Sequence, residues 1–252
     1  MKKCLVLHGS PRRGNTYKAT MLVVDELAKQ PDWDFELIRI KDLNLPFCLG
    51  CFTCILNDEN KCPHTGILNP ILRKMLDADA LIVSAPIYIL QINAETKNFF
   101  DHLAWIFHRP RFFGKQALVI TTTAAAAAAK GTKFLKETLY QMGYNHAYEL
   151  PIACWDAEHK PKARDLKKIR ALAQRFGRDI QGGKLYKPSW YHIIYHTAFR
   201  AAANAGSKDR TADHLYWKEQ GLLDKVYPHK PGIIKALFAR MMTAAIKAMM
   251  PS

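Results

Sequence analysis

The chain has 252 residues and a net charge of +15, and 49% of its residues are hydrophobic. This length allows one sizeable α/β domain with an extension. No apolar run approaches the roughly 20 residues that span a bilayer, and none resembles a secretory signal, so we expect a cytoplasmic protein with reduced cysteines. Residues 160–252 carry 19 Lys and Arg against 6 Asp and Glu. Basic charge without a recognised reading motif does not indicate nucleic-acid binding, and we expect no nucleic-acid partner.

The first predicted elements are a strand, a phosphate-binding loop and a helix. An apolar run at residues 4–7 ends in Gly9-Ser10-Pro11-Arg12-Arg13-Gly14-Asn15-Thr16, where Asn15 or Thr16 is placed to cap a helix that runs to about Lys29. Backbone N–H groups, hydroxyls, arginines and a positive helix end suit a phosphate, and Gly14 offers backbone freedom. The loop lacks the spacing of dinucleotide and nucleoside-triphosphate loops, so a mononucleotide fits better. A capped turn with surface arginines is the alternative.

The next feature is a cluster of four cysteines, Cys48, Cys51, Cys54 and Cys62. Soft thiolate ligands at successive three-residue steps suit the corners of an iron-sulfur cluster, and the fourth thiolate closes the shell. A metal-free cysteine loop and a zinc site are the alternatives. Structural zinc usually takes two ligand pairs separated by a longer spacer, which this arrangement lacks.

Strands and helices alternate along the rest of the core. Apolar runs predict further strands at residues 35–40, 80–84, 117–121 and 147–150. Helical periodicity predicts helices at residues 69–76, 94–107, 132–142 and 162–180. Five strands alternating with helices predict a doubly wound parallel sheet, an α/β fold whose ligands lie beyond the carboxyl ends of the strands. The phosphate loop and Pro86-Ile87-Tyr88 both follow strands, so we expect them at the same edge.

The chain changes character after residue 183. Residues 184–252 are rich in aromatic and basic residues and show no renewed alternation of strands and helices. We therefore predict a domain at residues 1–183 and a helical extension at residues 184–252. Residues 233–250 mix apolar and basic side chains, which predicts burial against a partner subunit or the core, with peripheral contact to a membrane surface as the alternative.

Three segments together resemble the flavodoxin-like NAD(P)H-dependent FMN reductase superfamily, and within it the iron-sulfur flavoproteins. They are the phosphate loop, the cysteine cluster, and Ser84-Ala85-Pro86-Ile87-Tyr88 followed by Lys97-Asn98-Phe99-Phe100-Asp101. The resemblance covers residues 1–180 and implies a flavodoxin-like five-stranded sheet. It further implies that the FMN phosphate is held by Ser10, Arg12, Asn15 and Thr16. The isoalloxazine ring would be lined by Pro86, Ile87 and Tyr88, and bonded at its polar edge by Thr122 and Thr123.

The resemblance predicts an FMN-dependent oxidoreductase that takes electrons from NAD(P)H and passes them to a small-molecule or protein acceptor. A four-iron four-sulfur cluster on the four cysteines would relay single electrons. Because the flavin performs the redox chemistry, we assign no side chain as catalytic. The resemblance also implies a homodimer or higher homo-oligomer. One alternative is a non-catalytic flavin-binding electron carrier that docks on an acidic partner or a membrane; another is a quinone or nitro-compound reductase with inert cysteines.

Overall fold

The computed structural model describes residues 1–124, 127–153, 161–205 and 212–249, and a parallel sheet forms their centre. The strands are β1 (Lys2–His8), β2 (Trp33–Arg39), β3 (Ala80–Tyr88), β4 (Gln91–Ile92), β5 (Gln116–Thr123) and β6 (His146–Ala153). Five of them pair in parallel in the order β2-β1-β3-β5-β6. The predicted flavodoxin-like α/β class is confirmed, but the described residues form six strands rather than five. The additional strand, β4, pairs antiparallel with β3 and is too short to show in the apolar pattern.

The helices flank this sheet and continue beyond it. They are α1 (Asn15–Ala28), α2 (Thr53–Leu56), α3 (Thr65–Asp77), α4 (Ala94–Asp101), α5 (Trp105–His108), α6 (Ala128–Gln141), α7 (Ala163–Gln181), α8 (Trp190–Ala205), α9 (Ala212–Glu219) and α10 (Ile233–Met249). The single helix expected at residues 94–107 is divided between α4 and α5. His102 Nδ1 lies 2.9 Å from the Asn98 carbonyl oxygen, and Leu103 and Ala104 bond three residues back, which tightens the turn between them.

The central strands are buried on both faces, which explains why their sequences are nearly continuous apolar runs. On one face, Leu7 and Val83 pack in a cluster with side chains of α3, α4, α5 and α6. On the other face, Val6 and Ile82 pack in a cluster with side chains of α1 and α7. These two layers leave the carboxyl edge of β1, β3 and β5 as the place where loops meet.

The C-terminal extension packs on the core through specific bonds. Asn145 donates to the Tyr186 carbonyl oxygen at 2.9 Å and accepts from the Tyr186 N–H at 2.7 Å. His192 Nε2 lies 2.9 Å from the Tyr144 carbonyl oxygen, and Trp217 is fully buried. The division at residue 183 stays a prediction. Among the described residues, no helix combines the length and hydrophobicity that crossing a membrane requires.

Candidate active site

The predicted phosphate loop lies at the carboxyl edge of the sheet, between β1 and α1. Strand pairing places His8 beside Ser84 and Pro86 beside Thr122, so the ends of three strands lie side by side. Thr16 Oγ1 and Thr122 Oγ1 are 2.7 Å apart, and both threonines are buried. This hydroxyl pair joins the phosphate loop to the end of β5. The structure therefore brings together two segments that the sequence analysis assigned to the same cofactor.

The start of α1 is built differently from the prediction. Gly14 occupies the capping position, so the expected cap by Asn15 or Thr16 is wrong; both residues lie in the first helical turn, and the Thr16 hydroxyl bonds Thr122 instead. Gly14 has φ −90°, so the backbone freedom expected of it is not used. Because glycine has no capping oxygen, the N–H groups of this first turn face the loop without a side-chain cap, as an anion site requires.

The remaining predicted phosphate contacts lie around this turn. Ser10 is buried, and its hydroxyl accepts a hydrogen bond from the Arg12 N–H at 3.3 Å. The Arg12 side chain is exposed, and the Arg13 guanidinium lies 5.7 Å from the centre of the Tyr17 ring. Hydroxyl groups are thus fixed inside the loop, while the arginines lie at its outer surface, where they can approach an anion from solvent.

Gly9 fixes where the loop begins. Its N–H donates to the Ser84 carbonyl at 2.7 Å, and its own carbonyl accepts from Asn93 Nδ2 at 2.7 Å. A Cβ at this position would overlap Thr96 Oγ1 and lie 3.0 Å from the Ser84 carbonyl oxygen. Sequence reasoning missed Asn93 and Thr96. The position of Asn93 directly before α4, where asparagine is favoured, is the signal that could have found it.

A histidine at the end of β1 directly precedes the loop. His8 is fully buried, and its Nδ1 is 2.9 Å from Ser84 Oγ. Burial lowers the pKa of His8, and the Arg39 guanidinium lowers it further, against a hydrogen bond to the Arg12 backbone that raises it. Its ring meets Tyr17 edge-on at 5.4 Å. The phosphate loop therefore begins directly after a buried imidazole whose pKa is lowered.

The segment predicted to line the flavin ring forms a tight turn between β3 and β4. Tyr88 is 45% exposed, and Ile89 and Leu90 are exposed at φ 47° and 65°, a conformation that residues other than glycine rarely adopt. Pro86 is buried in the strand. The Ile87 side chain packs in the core, so the Ile87 backbone is the part of this residue that remains for contact with a ring. The sequence analysis missed Ile89 and Leu90, which extend the apolar surface of Tyr88.

The loop after β5 is described in part. Thr122 is bonded to Thr16, and Thr123 is half-buried at the end of the strand. Residues 125–126 lie outside the described part of the chain. Ala127, with φ 70°, precedes α6.

The cysteine loop, residues 48–62, begins beside α4, where the buried side chain of Asn98 binds it. Asn98 Oδ1 accepts from the Cys48 N–H at 3.0 Å, and Asn98 Nδ2 donates to the carbonyls of Leu45 and Pro46 at 3.2 and 3.0 Å. Cys48 Sγ lies 4.0 Å from the Asp101 carbonyl oxygen. The sequence analysis quoted Asn98 only as part of a resemblance and gave it no role, because its partners lie some fifty residues earlier in the chain.

A buried arginine holds the rest of the cysteine loop. The Arg109 guanidinium donates to the carbonyls of Cys54 and Ile55 and pairs with the carboxylates of Glu59 and Asp213. Asp213 belongs to α9, so Arg109 ties the C-terminal extension to the cysteine loop. Nothing in the local sequence around Arg109 indicates this role.

The four thiols are neighbours, but they are not arranged as metal ligands. Cys48 and Cys51 are exposed, while Cys54 and Cys62 are half-buried. Burial raises the pKa of the Cys54 thiol, and the adjacent Cys62 raises it further; hydrogen bonds from Thr53 lower the pKa of Cys51. Among the described residues, which include all four cysteines, no three His, Cys, Asp or Glu side chains are placed to hold a metal ion. The donors have the chemistry of an iron-sulfur site, and the loop holds them outside ligating geometry.

Comparison with known protein families decides the assignment, because residues 2–161 match the model of the NADPH-dependent FMN reductases. The chain belongs to this family. The resemblance inferred from the sequence is therefore confirmed, and this FMN reductase is an NAD(P)H-dependent, FMN-containing oxidoreductase. The family match covers the whole sheet and both of the edge segments described above.

Individual relatives refine the comparison. An iron-sulfur flavoprotein of Archaeoglobus fulgidus is 25% identical over 224 residues, which are 88% of this FMN reductase and 100% of the relative. An iron-sulfur flavoprotein of Methanocaldococcus jannaschii is 33% identical over 100 residues, 39% of this chain and 50% of the relative. The solved NAD(P)H:(acceptor) oxidoreductase FerB from Paracoccus denitrificans has a TM-score of 0.53 at 22% identity, covering 73% of this chain and 100% of FerB. This last likeness shows a shared fold.

Proposed function

We propose that FMN binds at the carboxyl edge of the sheet, with its phosphate in the loop at residues 10–16 and its ring beside the turn at residues 88–90. The bound flavin would take electrons from NAD(P)H and reduce a small-molecule or protein acceptor. The observation that carries this proposal is the buried hydrogen bond between Thr16 and Thr122. It fixes the phosphate loop and the end of β5 beside each other, next to the strand that ends at Tyr88.

The residues at this edge match the chemical needs of FMN. Ser10, Asn15 and Thr16 supply hydroxyl, amide and backbone donors for the phosphate, and Arg12 adds positive charge. Tyr88 offers an exposed apolar surface for the ring beside the backbone of Pro86 and Ile87, and Thr122 and Thr123 would lie at its polar side. When bound, FMN supplies hydride acceptance and the release of one or two electrons. The chain would position the ring, and the exposed side chains of Ile89 and Leu90 would cover part of it.

Titration of the flavin-free protein with FMN tests this site, and riboflavin, which lacks the phosphate, is the matched control ligand. Charge-assisted bonds to the phosphate contribute about 1.5–3 kcal/mol each, so FMN should bind about 100-fold more tightly than riboflavin. Quenching of flavin fluorescence measures both affinities. Equal affinities would show that the loop does not hold the phosphate, and absence of FMN binding would refute the proposal.

A second candidate function is a flavin-binding electron carrier without turnover of its own. The exposed basic and apolar surface of α10 favours it, because a carrier needs a docking surface for its partner. Oxidation of NADPH in the presence of a quinone or ferricyanide distinguishes the two functions. Continuous turnover supports the reductase; tight FMN binding without turnover supports the carrier.

We further propose that Cys48, Cys51, Cys54 and Cys62 hold a four-iron four-sulfur cluster. Four thiols on one short loop and the names of the relatives support this proposal. Because the thiols are not in ligating geometry, the loop must rearrange when the cluster assembles. Protein purified without oxygen should contain about four iron and four sulfide per chain. Bound zinc would support a zinc site instead. Protein that stays without metal after reconstitution would support a metal-free cysteine loop.

We also propose that the protein is a cytoplasmic homo-oligomer, at least a dimer. All cysteines whose positions are described are free thiols, which is consistent with a reducing compartment. Sedimentation velocity of the full chain tests the oligomeric state, and a monomer at micromolar concentration would contradict it.

A further inference from the structure

The C-terminal helix α10 packs on the protein along one side only. On that side Ala239 is fully buried, and Thr243 Oγ1 accepts a hydrogen bond from Arg200 of α8 at 2.7 Å. The opposite side faces solvent. Its Ile234, Leu237 and Met241 side chains are 75%, 54% and 72% exposed.

The exposed residues form one continuous apolar face. At about 100° per residue, the outward half of the helix holds no charged side chain. It consists of Ile233, Ile234, Leu237, Phe238, Met241, Ala244, Ala245, Ala248 and Met249. Arg240 and Lys247 lie along one margin of this face. Monomeric proteins rarely leave a contiguous apolar surface of this kind uncovered, so it indicates an interaction site.

Basic and aromatic groups border the apolar face. Residues 225–249 contain five Lys and Arg and no Asp or Glu. At the second margin, Lys235 Nζ lies 5.6 Å from the centre of the half-exposed Trp190 ring, which meets Phe238 edge-on at 5.4 Å. An apolar helix face with lysine, arginine and tryptophan at its margins is the arrangement of helices that lie in the interface of a membrane.

We propose that α10 docks this protein on the surface of an anionic lipid bilayer. The apolar face enters the boundary between head groups and acyl chains, and Arg240 and Lys247 approach the lipid phosphates. Each basic residue near such a surface contributes about 1 kcal/mol. A second copy of the same helix would instead bring two segments of like charge together, which opposes self-association through this face. The proposal depends on α10 and not on the flavin site.

Co-sedimentation of the full chain with lipid vesicles tests the proposal. The protein should bind vesicles of equal parts phosphatidylcholine and phosphatidylglycerol, and added salt should weaken this binding. Leu237→Glu and Met241→Glu should each reduce it about tenfold or more, because each replaces an apolar side chain of the exposed face that enters the bilayer with a charged one. Leu166→Glu, on an exposed leucine of α7, is the matched control and should bind like the unmodified chain.

The charge requirement is tested separately. The double variant Arg240→Gln, Lys247→Gln should lose about tenfold in affinity for the anionic vesicles, whereas pure phosphatidylcholine should bind both forms weakly. Failure of the unmodified chain to sediment with either vesicle overturns the proposal. So does equal sedimentation of Leu237→Glu and Leu166→Glu. A dimer that Leu237→Glu converts to monomer, without any lipid binding, would show that a second copy covers this face.

Discussion

Gly9 has no room for a side chain, because a Cβ at this position would overlap Thr96 Oγ1. In Gly9→Ala, the added methyl group would push the Thr96 side chain and the Ser84 backbone away from the loop. We expect a loss of about 1–3 kcal/mol in the free energy of unfolding, together with weaker FMN binding. Urea denaturation of the flavin-free protein measures the first effect and FMN titration the second.

Gly66→Ala is the control for this substitution. Gly66 lies in the first turn of α3, and no atom lies within 4 Å of an added Cβ. Because alanine favours helix over glycine, Gly66→Ala should leave stability unchanged or raise it slightly. Equal losses in the two variants would show that the contact with Thr96 does not set the cost.

The hydroxyl pair of Thr16 and Thr122 gives a second test at this scale. Thr16→Val and Thr122→Val each leave a buried hydroxyl without its partner, which costs about 1–3 kcal/mol. The double variant leaves none, so its loss should be smaller than the sum of the single losses by about 1 kcal/mol. Urea denaturation of the four proteins measures this coupling. Strictly additive losses would mean that the two hydroxyls do not bond in solution.

At the scale of elements, α8 should make stability depend on pH. Burial, together with the charge of the neighbouring Arg200, lowers the pKa of His196 to about 3. The rings of Trp217 and Tyr227 lie 4.8 and 5.0 Å away. Burial also lowers the pKa of His192 to about 4, although a hydrogen bond to the Tyr144 backbone raises it. Unfolded histidines titrate near 6.5. Their stabilising neutral state is therefore complete above that pH and is lost as the pH falls toward 4.

His196→Gln removes one of these linked protons. Between about pH 6 and 4, its free energy of unfolding should fall less steeply with pH than that of the unmodified chain, by about 1.4 kcal/mol per pH unit. Urea denaturation at a series of pH values measures both slopes. Identical slopes would show that His196 is already protonated in the folded protein.

A helix or strand could be predicted where the local sequence pattern sets it, and not where a bond to another part of the chain does. The central strands β1, β3 and β5 were predictable because their apolar runs are buried on both faces. The division of residues 94–107 was not, because it depends on His102 bonding the Asn98 backbone within an otherwise helical pattern. The cap of α1 was predicted wrongly, because Thr16 has a partner on β5 that competes with the local capping bond.

At the scale of the whole molecule, the extension is bonded to the core at several separate points. Tyr216 donates to the Pro110 carbonyl, Asp213 pairs with Arg109, and Asn145 bonds Tyr186. We expect a fragment of residues 1–183 to lose solubility or to unfold at a much lower temperature than the full chain, because it exposes the surface beneath α8. The yield of soluble fragment and its melting temperature, each compared with the full chain, measure this. A fragment with unchanged melting temperature and FMN affinity would instead establish a domain boundary at residue 183.

The sequence by itself determined the α/β class and the family, because both depend on periods, spacings and motifs of neighbouring residues. The phosphate-binding role of residues 10–16 stays a prediction from such a motif. Only the tertiary structure decided which distant residues meet. Thr16 and Thr122 are 106 positions apart, and Arg109 and Asp213 are 104 apart. Such pairs depend on strand order and on how the extension returns to the core, which local periodicity does not contain. The uncovered face of α10 was likewise visible only once its packed side was known.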